Sequence, residues 1–152
     1  MTKHQNDQVE EIVWTPDMSV GVPILDDDHK HLIEYLNRFI QAVDAQEGIL
    51  DTDDIFTDLI RYTEEHFARE EAVMSACGFK GLDAHRELHA KLKQKVHGCR
   101  HRYMLNPNKV LEREVRKFLM TWLTDHILKC DMAYRPSVEA HPEAVKQELK
   151  KS

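Results

Sequence analysis

Two residue pairs, His66 with Glu70 and His85 with His89, hold the most legible chemistry in this 152-residue chain. Each pair is spaced by four, one turn of a helix, so both of its side chains can reach the same small object if the segment is helical. Two further segments carry a histidine, His29 and His126, on the side of the pattern that apolar residues occupy. A lone histidine on an apolar face is more often a hydrogen-bonded core residue than a ligand. Four segments that each present one or more change that balance. Neutral buried imidazoles need partners for both nitrogens, an apolar interior offers few, and a shared metal satisfies several at once.

The elements that must position these residues read as long helices. Ten histidines accompany only five glycines and five prolines, amid many Leu, Ile, Glu, Lys and Arg, a composition with few helix breakers. The sequence predicts an all-α fold: an up-down-up-down four-helix bundle over residues 24–135, with an N-terminal arm over 1–23 and a short C-terminal tail over 136–152 that can form a surface helix. The first helix is expected to start at Asp26 as its cap, with Asp27 and Asp28 in the first turn, and to end at Gly48. At about 100° per residue, Leu25, Leu32, Ile33, Leu36, Ile40 and Val43 fall within roughly 60° of His29. The second helix is expected from Asp51 or Thr52 to just before Gly78. Its stripe of Ile55, Leu59, Tyr62, His66, Glu70, Val73 and Cys77 is about 80° wide, and of Glu64, Glu65, Glu70 and Glu71 only Glu70 lies on it.

A third helix follows Gly81, with Asp83 as candidate cap, and reaches the turn Asn106-Pro107-Asn108. It sets His85, Leu88, His89, Leu92, Val96, Cys99 and Tyr103 along one side. A fourth starts near Pro107, turns Leu111, Val115, Leu119, Trp122, Leu123 and His126 inward, and ends before Pro136. His97 and His101 are also four apart, but they lie about 120° to 160° round the helix from His85 and face solvent. His4, His31 and His141 are likewise expected at the surface.

Composition bounds the function. Hydrophobic residues at 41% and charged residues at 32% describe a soluble globular chain rather than a disordered one. No apolar run approaches the roughly 20 residues of a membrane helix, and the first residues have no secretory character. A net charge of −6 argues against a nucleic-acid partner. Cys77, Cys99 and Cys130 are three in number and widely spaced, which fits free thiols in a reducing cytoplasm better than a disulfide framework. Cys77 and Cys99 lie on inward stripes and read as core, as do Trp122, Met74 and Met120.

Other metal motifs fit badly. His85-Arg86-Glu87-Leu88-His89 places its glutamate one position late for a zinc protease. No cysteine pair has zinc-ribbon spacing, and the Glu-x-x-His of ferritin-like di-iron oxidases is absent. Two metals in a bundle need bridging carboxylates, and Glu70 alone is too few. On an ideal wheel Asp131 lies about 140° from His126 and Asp125 about 100° away on the other side, so periodicity selects neither.

The segments resemble the hemerythrin family, in its single-domain bacterial form. The match is carried by Leu25-Asp26-Asp27-Asp28-His29-Lys30-His31-Leu32, by the block from His66-Phe67 through Glu70-Glu71 to Met74, by His85-Arg86-Glu87-Leu88-His89, and by the run from Trp122 through His126 to Asp131. Order and spacing agree from about Trp14 to Tyr134. The resemblance implies a non-haem di-iron centre with five histidines and two bridging carboxylates. His85, His89 and His126 would bind one iron. His29 and His66 would bind the other, which keeps an open position, and Glu70 and Asp131 would bridge the pair together with an oxo or hydroxo group. A loosened, π-type turn between His126 and Asp131 would bring both to one face, and such bulges collect at functional sites. Two departures stand out: Asp28 where the family commonly has glutamine, and Leu92 where an aromatic residue is common.

The ligand set has a functional consequence. Two Fe(II) ions bring four positive charges, and two carboxylates with a hydroxide would offset three. The ferritin-like oxidases use more carboxylate, which better supports high-valent iron. An imidazole-rich set in a dry pocket favours reversible exchange with dioxygen. The expectation is therefore a cytoplasmic, monomeric oxygen-binding protein serving carriage, storage, delivery or sensing, not an enzyme. Its partners would be dioxygen and an oxygen-consuming enzyme or a reductase, with neither nucleic acid nor membrane. Two alternatives are a di-iron peroxidase or nitric oxide reductase using the same open iron, and a metal-free helical interaction module.

Overall fold

The computed structural model describes residues 11–45 and 49–151. In order they form a 3₁₀ turn (Pro16–Met18), α1 (Pro23–Asp44), α2 (Ile49–Ala76), α3 (Leu82–Leu105), α4 (Lys109–Asp125), a π-helical segment (His126–Cys130), a second 3₁₀ turn (Asp131–Tyr134), α5 (Arg135–Ala140) and α6 (Pro142–Leu149). There is no strand among the described residues. Helix α1 packs against α2 and α4, and α3 packs against the same two, so the four long helices close around a shared interior. His4 and the expected stop at Gly48 lie outside the described residues.

Several helix ends differ from the sequence expectation, each for a local reason. α1 begins at Pro23 rather than Asp26, because proline's fixed φ suits a first helical position. Asp26 does not cap the helix; it accepts hydrogen bonds from the Ser19 hydroxyl (2.7 Å) and the Val20 amide (2.9 Å), which pins the preceding arm to α1. α2 begins at Ile49, ahead of the expected Asp51 or Thr52. Gly78 ends it as expected: at φ +68° the chain turns left-handed, and the Phe79 amide bonds back to the Met74 carbonyl. Gly81, not Asp83, precedes α3, and Asp83 sits exposed in the first turn.

The Pro107 start also moves. Asn108 is the cap of α4, its side chain accepting from the Leu111 amide at 2.9 Å. The fourth helix does end before Pro136, at Asp125, and Pro136, tolerated in a first turn, lies in α5, which follows the second 3₁₀ turn. The C-terminal tail does form helix, and it is not wholly superficial: α5 and α6 lie against α2, with Val138 and Val145 buried.

The interior is layered. One apolar cluster gathers Leu32, Leu36, Phe39, Phe56, Leu59, Phe67, Val96, Leu119 and Leu123 with their neighbours. A smaller one gathers Val20, Val22, Leu25, Val73, Met74, Cys77, Tyr134, Val138 and Val145. The chemical residues fall between them on every element. His29 follows Leu25 of the small cluster and precedes Leu32 of the large one. Glu70 lies between Phe67 and Val73, and Asp131 between Ile127 and Tyr134. Apolar burial on both sides, at about 1.5–3 kcal/mol per large side chain, is what can hold a polar belt out of water. Such a belt is tolerable only if its groups satisfy one another or share a cation.

Candidate metal centre

All seven residues singled out from the sequence meet in that belt. His29 comes from α1, His66 and Glu70 from α2, His85 and His89 from α3, His126 opens the π segment and Asp131 follows it. None is more than 5% exposed. Asp125, the other carboxylate left open by the wheel, faces solvent, as do His31, His97, His101 and His141.

The loosened turn expected on the last element is present. The Asp131 amide bonds to the His126 carbonyl, five residues back, instead of continuing the α pattern. One extra residue in that turn rotates Asp131 onto the face that His126 occupies, which a regular helix would not do.

Glu70 and Asp131 divide their oxygens between two groups of histidines. Oε1 of Glu70 lies 3.1 Å from His85 Nε2 and 3.0 Å from His89 Nε2, while its Oε2 lies 3.1 Å from His66 Nε2 and 3.5 Å from His29 Nε2. Asp131 repeats the division: Oδ1 is 3.1 Å from His85 Nε2 and 2.9 Å from His126 Nε2, and Oδ2 is 3.0 Å from His29 Nε2. Ligand atoms of Glu70, His85, His89, His126 and Asp131 lie within 4.8 Å of one another, as do those of His29, His66, Glu70 and Asp131. Several of these close atoms are not aligned as hydrogen bonds. His29 Nε2, His66 Nε2 and both Asp131 oxygens are buried without a hydrogen-bond partner. Donor atoms that crowd together yet do not point at each other are what two shared cations would resolve. The residues fit a pair of metal ions.

Electrostatics agree. Burial pushes imidazole toward its neutral form, but Asp131 and Glu70 outweigh it and hold both His29 and His85 at about 9. His66 and His126 are raised against the same burial, chiefly by the charges of Glu70 and Asp131 respectively. Glu70 is held well below the usual carboxylate range despite burial, with His66 the leading cause. Asp131 is lowered by His126 and His29 against both burial and the Glu70 charge.

A second layer fixes the ring orientations. His66 Nδ1 lies 3.0 Å from Asp28 Oδ2, and Asp28 also accepts from Arg69 Nε (2.8 Å), Arg69 Nη2 (3.0 Å) and the Tyr62 hydroxyl (2.9 Å). Asp28 is held far below its ordinary range against its own burial, by His66 and Arg69 first. His89 Nδ1 lies 3.0 Å from Glu71 Oε2, and the His89 ring stacks on Phe67 with centroids 3.7 Å apart. Tyr134 donates its hydroxyl to Glu70 Oε2 at 3.0 Å, and burial, then the Glu70 charge, raises that phenol well above its usual value. Sequence reasoning missed Arg69, Glu71 and Tyr134. The only available signal was adjacency: Arg69 and Glu71 flank Glu70.

Fold and site together define a helical protein with a buried cluster of histidines around two shared carboxylates that could hold metal ions. The comparisons with known proteins agree: residues 20–138 match the hemerythrin HHE cation-binding domain. The chain is 30% identical over 130 residues to a bacteriohemerythrin of Stenotrophomonas maltophilia, covering 86% of this chain and 83% of that one. It is 28% identical to a bacteriohemerythrin of Pseudomonas aeruginosa (84% and 81% covered) and 26% identical to a myohemerythrin of Riftia pachyptila (81% and 90% covered). This chain belongs to the hemerythrin family.

Proposed function

We propose that this protein binds dioxygen reversibly at a non-haem di-iron centre, for carriage, storage, delivery or sensing rather than catalytic turnover. His85, His89 and His126 hold one iron, His29 and His66 the other, and Glu70 and Asp131 bridge the two. The same reading takes the four long helices to run up-down-up-down as a bundle over residues 24–135. The observation that carries the proposal is the division of oxygens: each carboxylate gives one oxygen to each histidine group. Two ferrous ions bound there would supply the electron pair that dioxygen takes up and returns.

The chain's own residues do the rest. Asp28 and Glu71 accept from the far nitrogens of His66 and His89, fixing which nitrogen faces inward. Tyr134 holds Glu70 in its bridging orientation. The two apolar clusters exclude water, which slows irreversible side reactions. The His29–His66 side offers four donor residues against five on the other, so that side keeps the exchangeable position.

The test is iron content together with visible spectra after dithionite reduction and after air exposure. About two irons per chain and a spectrum that cycles with oxygen support the reading. Protein purified without iron, or iron that cannot be cycled, overturns it. Rapid catalytic consumption of peroxide or nitric oxide would make the centre enzymatic instead.

A further inference from the structure

Between α3 and α4 a groove of about 500 Å³ opens from the surface to the back of His126. Its walls are Leu88 and Leu92 on one side and Phe118 and Trp122 on the other, with Thr121 and Cys130 at the edges. Three features set it apart from an ordinary seam between helices.

The first is a pair of ring nitrogens without partners. Trp122 and His126 stand one helical turn apart, both line the groove, and both are more than nine-tenths buried. Trp122 Nε1 and His126 Nδ1 have no hydrogen-bond partner. His126 Nε2 faces Asp131 Oδ1 at 2.9 Å, so Nδ1 is the nitrogen turned away from that carboxylate. Buried ring nitrogens without partners are an unusual cost for a native protein to carry.

The second is charge. Four ionisable side chains line the opening: Lys95, Lys117, Glu114 and Asp125. Both acids already have cations, Glu114 with Arg102 at 3.3 Å and Asp125 with Lys129 at 3.6 Å. Neither lysine has a carboxylate partner among the described residues, and Lys95 lies over the Phe118 ring, 4.5 Å from its centroid. The uncompensated charge at the mouth is positive. The third is the apolar, partly aromatic body of the groove between mouth and floor, a form typical of small-molecule sites.

The geometry points to a binding site for a small amphipathic organic anion: a flat apolar body between Leu92 and Phe118, beside Trp122 and His126, and an acidic head toward Lys95 and Lys117. The site stands independently of the iron reading. One consequence does rest on that reading: an occupant beside His126 would alter the surroundings of a ring that holds iron, and so shift the visible spectrum.

The probe is 2-naphthoate, titrated into the protein as purified, with calorimetry and the tryptophan fluorescence of a Trp14→Phe variant, which leaves Trp122 as the sole reporter. Saturable binding of one molecule per chain with Kd on the order of 10–1000 µM is expected for a ligand of this size. Leu92→Trp, which fills the groove, should weaken it at least tenfold. Lys95→Glu with Lys117→Glu should weaken naphthoate and leave uncharged 2-naphthol within about threefold. Thr121→Trp serves if Leu92→Trp fails to fold. No saturation by about 5 mM, binding unchanged by the groove-filling variant, or equal affinity for 2-naphthylmethylamine each overturn the site. Tight capture of a partner protein with no naphthoate binding overturns it as well, in favour of a macromolecular interface. Protein that lacks iron yet binds naphthoate defeats the oxygen proposal and leaves this one standing.

Discussion

On one side of Glu70 and Asp131 stand His29 and His66; on the other stand His85, His89 and His126. In the first pair His66 is backed by charge, while His29 Nδ1 has no hydrogen-bond partner. Asp28 is almost fully buried and takes hydrogen bonds from Arg69 and Tyr62 besides its contact with His66, so His66 is gripped by a network reaching across α1 and α2. The second group is backed largely by rings and by an opening. His89 stacks on Phe67, His85 and His126 pack edge-on at 5.1 Å, and His126 borders the α3–α4 groove. Its one charged support, Glu71, is 23% exposed. The side with fewer donors therefore holds the one ring gripped by a buried charge network, and the side with more donors is the more open behind. A centre that must exchange a ligand at one metal and only hold the other gains from that arrangement. Fixed rings keep a vacant position vacant, whereas a full donor set tolerates looser support.

The widest break in this contrast removes what the sides share. Glu70→Ala should abolish metal at both, taking iron from about two per chain to near zero by elemental analysis; one iron retained would refute a bridging role. Next, His66→Ala and His89→Ala separate the sides. Each should leave about one iron per chain and abolish oxygen-dependent spectral cycling, which needs the electron pair of both irons; only the iron left by the His89 change, on the His29–His66 side, should still take up azide. Identical azide uptake by the two variants would mean that the sides are not distinct.

The rigidity half of the comparison is sharpened by Asp28→Asn and Glu71→Gln. Asparagine at 28 leaves Arg69, 28% exposed, and the His66 nitrogen without their carboxylate. A loss of about 1–3 kcal/mol in denaturant unfolding is expected, with a 10–100-fold fall in metal affinity. Glu71→Gln should cost under about 1 kcal/mol, because its carboxylate is partly solvated. Equal costs would remove the distinction between a charge-gripped and a ring-supported side.

How much of this was legible beforehand depends on the reach of the signal. His29, His66, Glu70, His85 and His89 declare themselves by helical period, since each sits in a regular helix where i and i+4 share a face. Asp131 does not, because the wheel assumes a constant turn and the π segment breaks it at that point; only the resemblance to a family pointed there. The partners Tyr62, Arg69 and Tyr134 meet their carboxylates across 34, 41 and 64 residues of sequence. No local pattern carries such a pairing. Helix starts were missed for a related reason: Asp26 has a good cap's chemistry but spends its oxygens on Ser19 and Val20, a tertiary choice.

The smallest expected effect tests whether the two sides, unlike in their surroundings, are alike in their dependence on charge. His29 on one side and His85 on the other are both held near 9 in the absence of metal. A histidine raised in the folded state contributes stability that is fully present below its unfolded value, about 6.5, and is lost as pH rises through the folded value. Glu70 and Asp131, both lowered, contribute in the opposite sense: their stabilisation is present above the ordinary carboxylate range and lost in acid. Metal-free protein should thus be most stable between about pH 5 and 7, and its melting temperature should fall between pH 7 and 9. Metal-loaded protein should be flatter over that upper window, because ligated imidazoles are already neutral. Uptake of metal at pH 7 should correspondingly release protons, measurable in a weakly buffered titration. Replacing His29 or His85 by Gln should each remove a comparable part of the alkaline slope of the metal-free protein. A slope carried by only one of them would show that the shared carboxylates serve the two sides unequally.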